Sequence, residues 1–202
     1  MNKKLTFERI ALDTPFRGNR NYIHSTSIYN QLQVHINEFV GKNAWIRQLK
    51  LNQFFDTQCY ATTNLDENDQ QVGNFSVQII DSIIQGFIVA DPSIAISSRE
   101  EFDEGYICSK ATMLDEGVEN EWQVKVPFID QCVSLTKYFH NELYPLESKK
   151  WIYTRLTMQE DTTHLNPKKI TIKLNRKLGN RITQSSIFFD EEKCGVIEFS
   201  VN

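Results

Sequence analysis

The chain has 202 residues, 40% hydrophobic and 24% charged, which excludes a disordered, collagen-like or low-complexity polypeptide and allows one large domain or two small ones. Its 22 basic and 26 acidic residues give a net charge of −4, the wrong sign for a protein whose main ligand is a nucleic-acid backbone. No run of ~18 apolar residues is present, so no membrane-spanning helix is expected. Lys3 and Lys4 have no apolar stretch behind them, so no secretory signal is expected either and the cytoplasm is the expected compartment.

From the N-terminus, Leu5–Leu12 reads as a short strand. A polar segment, Arg17-Gly18-Asn19-Arg20-Asn21-Tyr22-Ile23-His24-Ser25-Thr26, then leads into a helix expected over Thr26–Val40. Ile28, Leu32, His35, Ile36 and Phe39 stand at helical spacing and are expected to face inward. Ser25, Thr26 or Ser27 can cap this helix, and Gly41 can stop it. Strand-like runs follow at Trp45–Leu51, Phe54–Thr62, Asn74–Asp81 and Ile84–Ala90, with a polar turn over Asn64–Gly73.

Between Glu100 and Glu121 the chain carries Glu100, Glu101, Asp103, Glu104, Asp115, Glu116, Glu119 and Glu121 against Lys110 alone. Such a charge block reads as a solvated connection, with a short strand-like run at Tyr106–Leu114 inside it. A second helix is expected over Ile129–Tyr144, with Ile129, Cys132, Val133, Leu135, Thr136, Phe139 and Leu143 inward, Asp130 in its first turn and Pro145 ending it. Strands are then expected at Trp151–Met158, Lys169–Asn175, Arg181–Asp190 and Cys194–Val201, with a polar turn over Gln159–Pro167.

The two halves echo each other. Asn37-Glu38-Phe39 ends the first helix and Asn141-Glu142-Leu143 the second; Trp45-Ile46 and Trp151-Ile152 each open a strand. Ile79-Ile80-Asp81 and Gly86-Phe87-Ile88 answer Phe188-Phe189-Asp190 and Gly195-Val196-Ile197, and the runs before the helices both end in Leu-Asp. Matches in the same order argue for a duplicated unit of strand, helix and four-stranded antiparallel meander, an α+β fold. The units are expected at residues 1–98 and 99–202, pairing their edges and faces in one fused pseudo-dimer.

Lys168, Lys169, Lys173, Arg176, Lys177 and Arg181 form a stretch with no acid, alternating with Ile170, Ile172 and Leu174. It reads either as a plain exposed strand face, where lysine discourages edge pairing, or as a landing patch for an anionic ligand. Cys59, Cys108, Cys132 and Cys194 show no C-x-x-C pair and no histidine at zinc-finger spacing, so no metal site is expected and the thiols read as reduced and buried.

A long central helix wrapped by an antiparallel sheet, twice in about 200 residues, resembles the double-hotdog form of the hotdog superfamily. Cystatin-like and nuclear-transport-factor-like folds also place a helix before such strands. The hotdog resemblance covers the whole chain at the level of element order. The dehydratase-type G-H-F-P and the thioesterase-type D-x-x-G-H-V-N segments are absent, the nearest stretch being Tyr22-Ile23-His24-Ser25-Thr26-Ser27-Ile28-Tyr29. The resemblance implies acyl-CoA or acyl-carrier-protein thioesters as ligands, in fatty-acid or polyketide metabolism, with the thioester carbonyl near a central helix N-terminus and no cofactor.

The residues suit such chemistry. Free N–H groups and the positive end of a helix dipole stabilise a developing oxyanion or enolate. Among the polar residues ahead of the first helix, His24 can exchange a proton near neutral pH, and Arg17 and Arg20 can meet phosphate or carboxylate. Asn21, Ser25, Thr26 and Tyr29 complete the candidate substrate-binding set, and Asp130 is the candidate catalytic partner from the second half. The basic stretch Lys168, Lys169, Lys173, Arg176 and Lys177 is the candidate contact for CoA phosphates or an acidic carrier protein. No H-E-x-x-H, P-loop or G-x-G-x-x-G motif is present. A non-catalytic binding or assembly protein on the same scaffold is the alternative, and homo-oligomerisation stays open.

Overall fold

Ile28, Leu32 and Ile36 repeat every fourth residue. In the computed structural model, which describes residues 6–41, 43–162 and 165–202, all three are buried on one face of α1 (Ser25–Phe39), together with Tyr29. The helix stops as expected: the Gly41 N–H returns to Asn37 O at 3.1 Å and Gly41 takes φ +102°, a left-handed cap that costs glycine little. Its start differs. The N-cap is His24, and no side chain caps it, because the Thr26 hydroxyl is bonded elsewhere (below) and Ser27 Oγ has no partner among the described residues. Two residues expected inward also lie elsewhere. His35 is half-buried and pairs with Glu38 at 3.3 Å. Phe39, in the last turn, is 61% exposed and meets Phe7 edge-on at 6.2 Å.

The chain divides into two compact units, Met1–Phe102 and Asp103–Asn202. The first contains β1 (Ile10–Leu12), β2 (Phe16–Arg17), α1, β3 (Ala44–Leu51), β4 (Thr57–Thr62), β5 (Gln70–Ile79), β6 (Ser82–Ala95) and β7 (Arg99–Glu100). Its main sheet runs β1-β4-β6-β5-β3 with every neighbouring pair antiparallel. β2 and β7 form a separate parallel pair. Leu5, in the expected first strand, lies outside the described residues, and Gln70–Gly73, expected in a turn, begins β5.

The second unit contains α2 (Glu104–Ile107), β8 (Thr112–Leu114), β9 (Gly117–Glu121), α3 (Phe128–Leu143), β10 (Trp151–Met158), β11 (Lys169–Leu178), β12 (Ile182–Phe189) and β13 (Glu192–Val201). Its strands run β8-β9-β11-β12-β13-β10, again antiparallel throughout. Here the acidic stretch is corrected. It is no plain solvated connection but carries α2 and the β8–β9 hairpin. Three of its eight acids pair with lysines: Glu104 with Lys137 at 2.7 Å, Glu119 with Lys169 at 3.1 Å and Glu121 with Lys110 at 2.7 Å. The run Tyr106–Leu114 divides between α2 and β8. Leu143, expected inward, is 42% exposed at the end of α3.

Both units are α+β, with one long helix packed on an antiparallel sheet. α1 lies on β3 and β1, and α3 on β9, β10 and β11. The sheets are nevertheless wired differently. In the second unit β11, β12 and β13 form a meander with β10 closing on β13. In the first, β3 pairs with β5 and β4 with β6, so β4 and β5 run parallel on either side of β6.

Candidate functional site around His24

The site is built by a loop that leaves β2 and enters α1. Arg17 and Glu100 are register partners in the β2–β7 pair, which aligns the Arg17 Nε with the Glu100 carboxylate in a direct ion pair. Arg17 is only 9% exposed; its guanidinium also lies 4.9 Å from the centre of the Phe102 ring. A second contact runs from Arg17 Nη1 to Thr26 Oγ1 at 2.7 Å. Thr26 Oγ1 in turn stands 2.7 Å from His24 Nδ1. His24 is 7% exposed and Thr26 fully buried, so a carboxylate, a guanidinium, a hydroxyl and an imidazole are linked in one chain at the start of α1. The His24 ring packs on Phe102 at 5.4 Å, and Arg20 covers that same ring at 5.5 Å.

Arg99 shapes the loop from outside. It donates to Gly18 O at 2.5 Å, Arg20 O at 2.8 Å and Asn21 Oδ1 at 3.1 Å, and packs on Phe16 at 5.2 Å. One guanidinium thus satisfies three acceptors that a five-donor fork can reach together. Downstream, the Ile23 N–H donates to Phe55 O at 2.9 Å and Tyr22 stacks on Phe54 at 4.5 Å, which fixes the approach to the helix. Arg17, His24 and Thr26 are therefore brought together, Asn21 is a partner of Arg99, Ser25 is the half-buried first residue of α1, and Tyr29 is buried one turn on.

In the second unit Asp130 is 2% exposed in the first turn of α3, where the helix dipole favours a negative charge. The turn ahead of it is clamped by the fully buried Gln131, whose amide accepts from Gln123 N at 3.1 Å and donates to Gln123 O and Val126 O at 3.0 and 2.9 Å. The basic stretch divides by contact along β11. Lys169 pairs with Glu119, Lys173 lies over Phe188 at 5.1 Å and Lys177 over Tyr144 at 3.8 Å, while Lys168 and Arg176 are exposed. An open depression of about 650 Å³ is lined by Trp122, Val124, Pro167, Lys168 and Lys169 among others.

Sequence reasoning missed Glu100, Phe102, Arg99 and Gln131. The first three lie more than 70 positions from the loop they organise, and only the β2–β7 pairing joins them to it. Gln131 carried a weak signal, an amide at a helix entry with too few side-chain caps. Among the described residues no group of three or more His, Cys, Asp or Glu side chains is placed to hold a metal ion, and no helix is long and apolar enough to cross a membrane. His164 lies outside the described residues.

No family model matches this sequence, and no curated protein matches it. Solved structures do. An acyl-ACP thioesterase from Bacteroides thetaiotaomicron aligns over 96% of this chain and 96% of its own, at 10% identity and TM-score 0.47. A trans-AT PKS dehydratase domain from Brevibacillus brevis aligns over 96% and 88%, at 7% identity and TM-score 0.48. The dehydratase domain of PpsC from Mycobacterium tuberculosis, solved with C12:1-CoA, aligns over 89% and 84%, at 11% identity and TM-score 0.45.

Proposed function

We propose that this protein is an enzyme of acyl-thioester metabolism, hydrolysing or dehydrating an acyl-CoA or acyl-carrier-protein substrate. The observation that carries the reading is the buried imidazole of His24 at the N-terminus of a long helix, tied through Thr26 to the ion-paired Arg17. Burying such a network is costly unless every member is satisfied, and a helix N-terminus beside it favours developing negative charge on a carbonyl oxygen. His24 acts on the reacting group as a base or as an orienting hydrogen-bond partner. Asp130 supplies the second ionisable group, and Arg20, Asn21, Ser25 and Tyr29 help to hold the substrate. Lys168, Lys169, Lys173, Arg176 and Lys177 receive CoA phosphates or an acidic carrier surface.

A panel of acyl-CoAs assayed with the wild type and His24→Ala tests the reading. The expected loss in the variant is on the order of 100-fold or more in kcat, the usual contribution of a positioned acid–base or hydrogen-bonding group. Unchanged turnover would remove His24 from the mechanism. A second reading is a binding or assembly protein on the same scaffold, favoured by the engagement of Arg17 with Glu100 and Thr26. It predicts ligand binding without turnover by the wild type.

A further inference from the structure

We propose that the end of the second unit formed by the β11–β12 turn is a membrane-contact surface, taking anionic phospholipid headgroups on its cations and acyl chains on its exposed aliphatics. The sheet register brings several chain segments to that end. Leu178, the last residue of β11, pairs with Ile182, the first of β12; Ile182 pairs with Ser200 of β13, and Val201 with Trp151, the first residue of β10. The Arg181 carbonyl accepts from Val201 N at 2.8 Å and the Lys150 carbonyl from Asn202 N at 3.2 Å. The end of α3 joins them, because Tyr144 O accepts from Trp151 Nε1 at 3.0 Å and the Tyr144 ring lies under Lys177 Nζ at 3.8 Å. Lys149, Lys150, Arg176, Lys177 and Arg181 thus meet at one end, against Glu142 and Glu147.

Four of these five cations are exposed: Lys149, Lys150, Arg176 and Arg181. Among the described residues no ion pair holds them, whereas Lys110, Lys137, Arg155 and Lys169 of the same unit each meet a glutamate. Beside them stand Leu178 and Ile182, 52% and 42% exposed, and the exposed Leu143 at the end of α3. Leu178 and Ile182 flank a turn and do not line a groove. A nucleic acid would find cations here but no stacking surface, since Trp151 and Phe199 are buried and the Tyr144 ring carries Lys177. Protein interfaces favour aromatic anchors and are poor in lysine; this end offers aliphatics and three lysines. A bilayer interface suits both groups. Aliphatic side chains leave water at the acyl boundary, and each Lys or Arg gains from anionic headgroups. Since the chain as a whole is net −4, an anionic surface draws this end in and holds the remainder off, which sets the orientation.

The inference stands without the thioester reading. Arg176 and Lys177 occur in both, at the far end of the ten-residue β11 from Lys169, about 30 Å along the strand. Lipid phosphates and CoA phosphates offer them the same chemistry, so the test separates the two sources.

That test is flotation of the full-length protein with phosphatidylcholine vesicles, with and without one-third phosphatidylserine, at physiological ionic strength. The protein is expected to float with the anionic vesicles, to stay behind with the neutral ones and to be released as salt is raised. Arg176→Gln combined with Arg181→Gln should lower partitioning about 25-fold, about fivefold for each cation at about 1 kcal/mol. Leu178→Ser combined with Ile182→Ser should lower it on the order of tenfold. Lys193→Gln, an exposed position at the opposite end of β13, should change it little. All the substituted side chains are exposed, and unchanged urea midpoints would show that the variants are folded. No flotation with anionic vesicles, equal flotation with both kinds, equal partitioning by the arginine variant and the wild type, or an equal loss in Lys193→Gln would each overturn the proposal. Release by millimolar free CoA would give the cations to a soluble phosphate ligand, and capture of polyglutamate without flotation would give them to an acidic protein; either result overturns it as well. Turnover of thioesters enters no arm of the test, so the two readings fail separately.

Discussion

His140 is buried inside the second unit, with ring centres of Trp151 at 4.6 Å, Phe199 at 5.2 Å, Phe139 at 5.5 Å and Tyr144 at 6.4 Å around it. Neither ring nitrogen has a hydrogen-bond partner among the described residues. Burial pushes its pKa down to about 4, and the charge of Lys177 pushes the same way. An unfolded histidine titrates near 6.5, so between pH 6.5 and 4 the unfolded chain binds the proton that the folded one refuses. Stability is full above pH ~6.5 and falls as pH drops through that window, by on the order of 3 kcal/mol for this group. Urea unfolding at pH 7.5 and 4.5 measures it. His140→Phe should remove this part of the acid sensitivity, and an unchanged pH dependence in that variant would assign the loss to other groups. The sequence placed His140 on the second helix and His24 before the first, yet it could not separate their surroundings. An unsatisfied ring among aromatics and a ring wired to a hydroxyl look alike until the strands bring Trp151 and Phe199, or Arg17 and Glu100, alongside.

The elements themselves were largely legible. The expected strand Trp151–Met158 has those same bounds, and the first and second helices each begin one residue before the expected start. What could not be read was lateral order, because period-2 alternation says which face a strand buries and not which strand lies beside it. The matched hairpins show the consequence. Ile79 pairs with Ser82 and Phe189 with Glu192, but β5 leads its hairpin onto β3 whereas β13, the second strand of the other, closes on β10. The shared glycines accordingly face different neighbours. A Cβ on Gly86 would fall 2.2 Å from the Phe75 ring, and one on Gly195 would fall 2.7 Å from the Met158 sulfur. Since Phe75 is fully buried, Gly86→Ala should cost about 1–3 kcal/mol by overpacking, measured as a lower urea midpoint with unchanged slope. The turns differ as well. Asp190 adopts φ +52° and its carboxylate accepts from Lys168 N and Lys169 N at 3.0 and 3.1 Å. Ile80, 75% exposed, takes φ +43° with a β-branched side chain, a conformation that suits glycine. Ile80→Gly should raise stability by about 0.5–1 kcal/mol, and a fall in melting temperature would contradict the strain assigned to this turn.

Across the whole molecule, three of the four thiols are buried and the fourth is half-buried. Burial pushes Cys59 and Cys194 up to about 12, Cys108 up to about 11 and Cys132 well above the ordinary thiol value. Reaction with an aromatic disulfide reagent at pH 8 should therefore be slow in the native state and complete on denaturation, since the thiolate is the reactive form. A rapidly titrating thiol in the folded protein would contradict that burial. A candidate site is built within the first unit, where the polar residues ahead of α1 converge. Its chemistry is tested most directly by incubating the wild-type protein with acyl-CoAs and 3-hydroxyacyl-CoAs of graded length. Release of free thiol would report hydrolysis, and ultraviolet absorbance of a 2-enoyl thioester would report dehydration. One of these signals is predicted, lowered on the order of 100-fold in His24→Ala. Neither signal at any chain length, or an equal signal from wild type and variant, would contradict the assignment of thioester chemistry to His24.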